Sequence, residues 1–247
     1  MRLHRIHTAQ ELEPDREIRL QNGRAHYLGR VLRVTAGQMI VLFNGDGCDY
    51  AAEVLEADRN AVRIAVRSRL PARRESPLSV TVVQAVSRGE RMDFVLQKAV
   101  ELGVTRIRPV FTERTQVRLH GERLDRRMEH WRQVVIAACE QSGRTRVPQL
   151  DRAARLDTET LGGTDDLRLL LSPNARHSLV QLSAPRHRVE LLIGPEGGLT
   201  AGEIRLAEDE GFTPIRLGPR VLRTETAPLA AIAAIQTLWG DFCSTGP

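Results

Sequence analysis

Val189-Glu190-Leu191-Leu192-Ile193-Gly194-Pro195-Glu196-Gly197-Gly198-Leu199-Thr200-Ala201-Gly202-Glu203 is the stretch that decides the fold. Val189 to Ile193 is a short apolar run cut off by Gly-Pro, the pattern of a strand covered on both faces. Thr200 and Glu203 stand at capping-box spacing, so a helix starts just after the glycines. Strand, rigid turn and capped helix in one continuous piece form the unit from which α/β sheets are built.

The same unit recurs on both sides. Leu167 to Leu171 and Pro214 to Leu217 read as strands that run into Ser172-Pro173-Asn174 and Gly218-Pro219-Arg220. Upstream, Leu78 to Val86 and Arg106 to Phe111 are further strands, separated by a helix whose Met92, Val95, Leu96, Ala99 and Leu102 recur at helical spacing and which Gly103 ends. Glu122 to Gln141 is a second amphipathic helix, and Ala227 to Trp239 an apolar one that Thr226 is placed to cap. The expected architecture of residues 71–247 is therefore α/β, with a mostly parallel sheet. Residues 1–70 read differently: strands Gln38 to Phe43 and Cys48 to Leu55 flank the turn Asn44-Gly45-Asp46-Gly47, Ala61 to Arg67 alternates apolar and basic residues, and a short helix lies around Arg24 to Arg33. This is a small β-barrel or sheet, joined to the rest through the proline-bearing linker Leu70 to Pro77.

Composition narrows the class of function. The 247 residues are 41% hydrophobic and 27% charged, ordinary for a globular chain. There is no apolar run long enough to span a membrane, and the charged start Met1 to Gln10 is unlike a signal peptide, so a cytoplasmic location is expected. Cys48, Cys139 and Cys243 lack CxxC spacing and the seven histidines lack HExxH spacing, so no metal site is expected. Net charge is +5, and residues 71–150 alone hold 15 basic against 9 acidic side chains, the footprint of a polyanion binder. Thirty-five of the 36 cations are arginines, Lys98 being the one lysine.

In an open α/β sheet, ligands bind beyond the carboxyl ends of the strands, so the loops after Leu171, Ile193 and Leu217 should meet at one site. Gly and Pro there make rigid turns whose backbone groups can face a small ligand. No GxxxxGK[ST] or GxGxxG is present, which disfavours nucleoside triphosphates and dinucleotides.

Several segments together are highly specific. Ser87-Arg88-Gly89-Glu90-Arg91-Met92, Gln97 to Val104, Ala138-Cys139-Glu140-Gln141-Ser142-Gly143-Arg144, Ile193 to Gly198 and Leu217 to Ala227 resemble, in order, the RsmE family of 16S rRNA uridine N3-methyltransferases, of the SPOUT class. The first domain is similar to the family's PUA-like RNA-binding barrel through Arg5 and His26 to Arg33. The resemblance implies a SPOUT domain with a trefoil knot, a homodimer, S-adenosyl-L-methionine as cofactor, and as partner 16S rRNA in the assembled small ribosomal subunit. The cofactor positions it implies are Leu171, Ser172, Pro173, Ile193, Gly194, Pro195, Glu196, Gly197, Gly198, Leu217, Gly218, Val221, Leu222, Arg223, Thr224 and Thr226. Rival readings are another SPOUT enzyme, acting on a ribose 2′-hydroxyl or a tRNA base, and a non-catalytic ribosome-assembly protein.

The implied reaction sets its own demands. Uridine N3 must lose a proton before or during attack on the sulfonium methyl, and charge then builds on O2 and O4. Arg223 is the expected stabiliser of that charge, and Glu225 or Glu196 the expected proton acceptor. Arg5, Arg30, Arg33, Arg88, Arg91, Arg114, Arg118, Arg123 and Arg144 are the expected RNA contacts.

Overall fold

The computed structural model describes residues 3–58, 60–71, 74–163 and 165–242. Contacts divide the chain into two units, Met1–Glu75 with Cys139–Val147, and Ser76–Ala138 with Pro148–Pro247. Of the expected linker, Ala72 and Arg73 lie outside the described residues.

The first unit is a five-stranded sheet. Its strands are β1 (Arg5–His7), β2 (Glu17–Gln21), β3 (Met39–Phe43), β4 (Cys48–Ala57) and β5 (Ala61–Pro71), in the order β1-β3-β4-β5-β2. All neighbours are antiparallel except β1 and β3, which run parallel. The helix α1 (Asn22–His26) leads straight into one π-helical turn, Tyr27–Val31, within the stretch expected to be one helix. The β3–β4 turn closes through Asn44 and Asp46, whose side chains accept from the backbone N–H of Asp46 and Cys48 at 3.2 and 2.8 Å, with Gly45 and Gly47 at positive φ. One face of the sheet buries Ile6, Leu28, Ile40, Leu42, Val54, Val62 and Ile64.

The segment Cys139–Val147 is fastened into this unit by charged groups. Glu140 accepts from the His7 backbone N–H and from Arg24 at 2.9 and 2.8 Å. Arg5 pairs with Asp49 at 2.6 Å and donates to the Cys139 carbonyl at 2.8 Å, while Arg144 forks onto Glu75 at 3.1 and 2.5 Å.

The second unit alternates strands and helices: β6 (Ser79–Ala85), α2 (Glu90–Glu101), β7 (Arg106–Phe111), α3 (Gly121–Ser142, whose end from Cys139 groups with the first unit), β8 (Gln149–Leu150), β9 (Ala154–Arg155), α4 (Thr158–Leu161), β10 (Leu167–Leu171), β11 (His177–Ser178), β12 (Arg188–Ile193), α5 (Ala201–Asp209), β13 (Thr213–Arg216) and α6 (Thr226–Trp239). Seven strands pair in the order β11-β13-β10-β12-β6-β7-β8, with β9 added on β7, and every pairing is parallel. The α/β reading of the second domain therefore holds, although Cys139–Val147 groups with the first unit. Leu191, Leu192, Val82 and Val83 on the central strands are fully buried, as helices on both faces require. Among the described residues no helix is long and apolar enough to cross a membrane.

Strand order explains where ligands can go. After β6 the chain moves to β7 on one side of the sheet, and after β12 it moves across β10 to β13 on the other. Between the carboxyl ends of β6 and β12 the winding reverses, the place where an α/β sheet opens a crevice. Because β13, β10 and β12 are adjacent, their loops stand side by side.

Candidate active site

Those three loops line one cavity of about 580 Å³, a size suited to a nucleoside-sized ligand. Each is locally built. Gly198 N–H donates to the Pro195 carbonyl at 2.8 Å, closing a β-turn with Gly198 at φ +69°. Thr200 then caps α5 through the expected box, its hydroxyl accepting from Glu203 N–H at 3.3 Å and Glu203 accepting from Thr200 N–H at 2.8 Å. Glu203 also accepts from Glu113 N–H at 2.8 Å, tying the loop after β7 to this helix start. Gly218, at φ +75°, turns the chain after β13. A Cβ on Gly194 would come within 3.1 Å of the Leu199 side chain, so this turn admits glycine alone without displacement.

At the back of the site a polar chain crosses the crevice. Gln84, fully buried on β6, donates to Thr224 Oγ1 at 3.3 Å, and Thr224 donates to the Gly194 carbonyl at 2.8 Å. A glutamine inside the apolar run Leu78 to Val86 was the available sequence signal for this role, and sequence reasoning missed it. Leu199, Ile204 and Ile215 add apolar wall that was also unforeseen.

The lining brings together Leu171 to Pro173, Ile193 to Gly198, Leu217, Gly218 and Val221 to Glu225. Thr226 is not part of it, nor is it the cap of α6: Glu225 takes the N-cap position without a side-chain cap bond, and Thr226 is the first helical residue. The Arg223 carbonyl closes this helix start instead, accepting from the N–H groups of Thr226 and Ala227, both at 2.9 Å. Pro228 in the first turn has no N–H to satisfy there.

Five charged residues line the cavity, Arg91, Glu196, Arg220, Arg223 and Glu225. Arg91 reaches Glu196 at 2.9 Å and Glu225 at 3.8 Å, and Arg223 reaches Glu225 at 3.9 Å. Arg114 donates to the Gly197 carbonyl at 2.9 Å. Arg223 itself is exposed, whereas Glu225 is mostly covered. Among the arginines expected to contact RNA, Arg30, Arg33, Arg88, Arg91, Arg114, Arg118 and Arg123 are exposed. Arg5 and Arg144 are not: only 8% and 5% of their side chains are accessible, and both are occupied by the acidic and carbonyl partners described above. No group of His, Cys, Asp and Glu among the described residues could hold a metal ion.

Comparison with known proteins agrees with this geometry. Residues 74–236 match the model of an RNA methyltransferase domain, and residues 20–67 that of an RNA methyltransferase PUA domain. The ribosomal RNA small subunit methyltransferase E of Buchnera aphidicola is 34% identical over 97% of this chain and 98% of its own. A methyltransferase from Legionella pneumophila, solved with bound SAM, superposes with a TM-score of 0.95 at 39% identity, covering 98% of this chain and 100% of that one. The small subunit methyltransferase E of Neisseria gonorrhoeae, bound to S-adenosyl methionine, gives 0.91 at 39% identity, with the same coverage.

Proposed function

The chain belongs to the ribosomal RNA small subunit methyltransferase E family, and from that premise we propose that it transfers a methyl group from S-adenosyl-L-methionine to N3 of a uridine in 16S rRNA. The observation that carries this reading is the cavity in which three turns, two of them glycine-bearing, meet two carboxylates and three arginines. The residues fit the cofactor: the volume suits a nucleoside, Gly194, Gly197, Gly198 and Gly218 present backbone without a Cβ, and the acidic pair favours a cation.

When bound, the cofactor supplies a methyl group on a sulfonium, a leaving group that needs no metal. Leu171 to Pro173, Ile193 to Gly198, Leu217, Gly218, Val221, Leu222 and Thr224 hold it. Glu225 or Glu196 accepts the N3 proton, and Arg223, exposed at the rim, meets the negative charge that develops on the uracil carbonyls. Exposed arginines, Arg30 and Arg33 in the first unit and Arg88, Arg118 and Arg123 in the second, bind the phosphate backbone. The knotted backbone of the SPOUT class and a homodimer belong to the same reading. Leu238 in the last turn of α6 and Phe242 just beyond it, 44% and 52% exposed, supply apolar surface for a subunit contact. With ribosomal RNA as substrate, the enzyme works in the cytoplasm on the small subunit.

Labelled S-adenosylmethionine and undermethylated small ribosomal subunits test this directly. N3-methyluridine, identified by mass spectrometry of the digested RNA, is the expected product. A 2′-O-methyl nucleoside, or none, would overturn it.

A further inference from the structure

Arg91, in the first turn of α2, sends one guanidinium to two carboxylates from different loops. Its Nη1 lies 2.9 Å from Glu196 Oε1, and its Nε 3.8 Å from Glu225 Oε1. The same Glu225 oxygen has Arg223 Nη1 at 3.9 Å. Glu225 is 16% exposed at its side chain, and its second oxygen, Oε2, is buried with no hydrogen-bond partner. A buried carboxylate oxygen without a donor is costly. Glu196 differs: it is 28% exposed and already in close contact with Arg91. The charged groups facing Glu225 are thus Arg91 from α2, Arg223 from its own loop and, beyond Arg91, Glu196 from the loop after β12.

We propose that Arg91 is a positioning residue: by joining Glu196 to the Oε1 side of Glu225 it leaves Glu225 Oε2 as the unpaired acceptor for an N–H group of the bound ligand. This rests on the methyltransferase reading above and assigns the acceptor that reading leaves between two carboxylates. Two N–H donors share the required chemistry, uracil N3–H and the α-ammonium of the cofactor. In the first case Glu225 Oε2 takes the proton as the N3–H bond breaks. The freed electron pair forms the N–CH3 bond, the S–CH3 pair stays on sulfur, and the carboxylic acid returns its proton to water. In the second case Glu225 fixes the cofactor tail and no proton is transferred.

The test combines kinetic and binding readouts on the full-length protein. Single-turnover methylation is measured in wild type, Arg91→Ala, Arg91→Lys, Glu225→Gln and the double variant Arg91→Ala with Glu225→Gln. Because Arg91 acts through Glu225, Arg91→Ala should add nothing to the loss in Glu225→Gln, and Arg91→Lys should recover part of the Arg91→Ala loss. At saturating ligands the rate should fall on the order of tenfold in Arg91→Ala, with KM little changed. Calorimetry of Glu225→Gln with S-adenosylmethionine and S-adenosylhomocysteine separates the sources. Weakened affinity for both assigns the acceptor to the ammonium, and unchanged affinity with a lost rate assigns it to uracil. An Arg91→Ala change whose loss adds in full to that of Glu225→Gln, or which loses RNA affinity while keeping the normal rate at saturating RNA, overturns the proposal. A wild-type enzyme that leaves uridine N3 unmethylated overturns the underlying reading, and the proposal with it, before any variant is made.

Discussion

At the scale of single residues, Arg223 offers the sharpest separation of chemistry from stability. Its side chain is 78% exposed and its ion pair with Glu225 spans 3.9 Å, an arrangement that contributes little to folding. Arg223→Ala should therefore leave the melting temperature nearly unchanged while kcat falls by roughly 10² to 10³, the loss expected for a missing oxyanion donor. Arg223→Lys should recover part of it, since an ammonium keeps the charge but not the planar fork of donors. Near-normal single-turnover rates with a lowered melting temperature would show a structural arginine instead. Cys139 is the opposite kind of residue. Burial pushes its thiol up to about 12, so at pH 8 it is a protonated, inaccessible group. Iodoacetamide should leave residue 139 unmodified in the native enzyme and label it in urea, read by peptide mass spectrometry. Rapid native labelling would contradict that burial.

At the scale of elements, the site depends on how α5 begins. Thr200 and Glu203 satisfy each other's backbone N–H groups, and Glu203 also holds Glu113 N–H. Thr200→Ala should cost about 1 kcal/mol in urea unfolding. Because the cap directly follows the Gly194 to Gly198 turn, cofactor affinity should weaken in the same variant. Full affinity with the expected loss of stability would mean that the turn is held by its own hydrogen bonds. Gly218 makes a related point through backbone conformation. At φ +75° any L side chain is strained, so Gly218→Ala should cost about 1 to 2 kcal/mol or shift the loop that carries Val221 to Glu225, detected as reduced cofactor affinity.

At the scale of the whole molecule, stability rests in part on a buried carboxylate and the cations around it. Glu190, fully buried on β12, is flanked by Arg168 at 2.9 Å and Arg108 at 2.8 Å, and Arg108 continues to Asp151 at 3.3 Å. Removing the carboxylate strands two guanidiniums, so Glu190→Ala should destabilise by about 3 to 5 kcal/mol. A loss under about 1 kcal/mol in denaturant titration would show that the arginines find other partners. Two surface carboxylates set the acid response. The Thr160 backbone N–H on Asp157, and the His187 and Arg188 N–H groups on Asp166, hold both carboxyls below the usual range. Each ionises more readily folded than unfolded. Its contribution is therefore complete above the unfolded value near 3.9, and is lost as pH falls through the lowered native value. Asp157→Asn and Asp166→Asn should each flatten the decline in melting temperature below about pH 4. An unchanged acid slope would remove them from that role.

The sequence by itself determined whatever is decided within a few neighbouring residues. Val189 to Glu203 specified a strand, a turn and a capped helix because apolar run, Gly-Pro and capping box are local physics, and all three form. Gly103 ends α2 at φ +89° for the same reason. Local signals failed where an element exists because of its partner. β1 is three residues long and is made a strand by its register on β3, and β8, β9 and β11 are pairs of residues that pairing alone defines. The cap of α6 also shifted, from Thr226 to Glu225, because the Arg223 carbonyl already served the first N–H groups. Only the tertiary structure decided that Arg5 and Arg144 are internal cations, that Gln84 stands behind Thr224, and that Arg91 bridges Glu196 and Glu225. Those distances span 105 and 134 residues of chain for Arg91 and Glu196, and Glu225, Glu196 and Arg91 meet because strand order, a non-local property, sets the loops side by side.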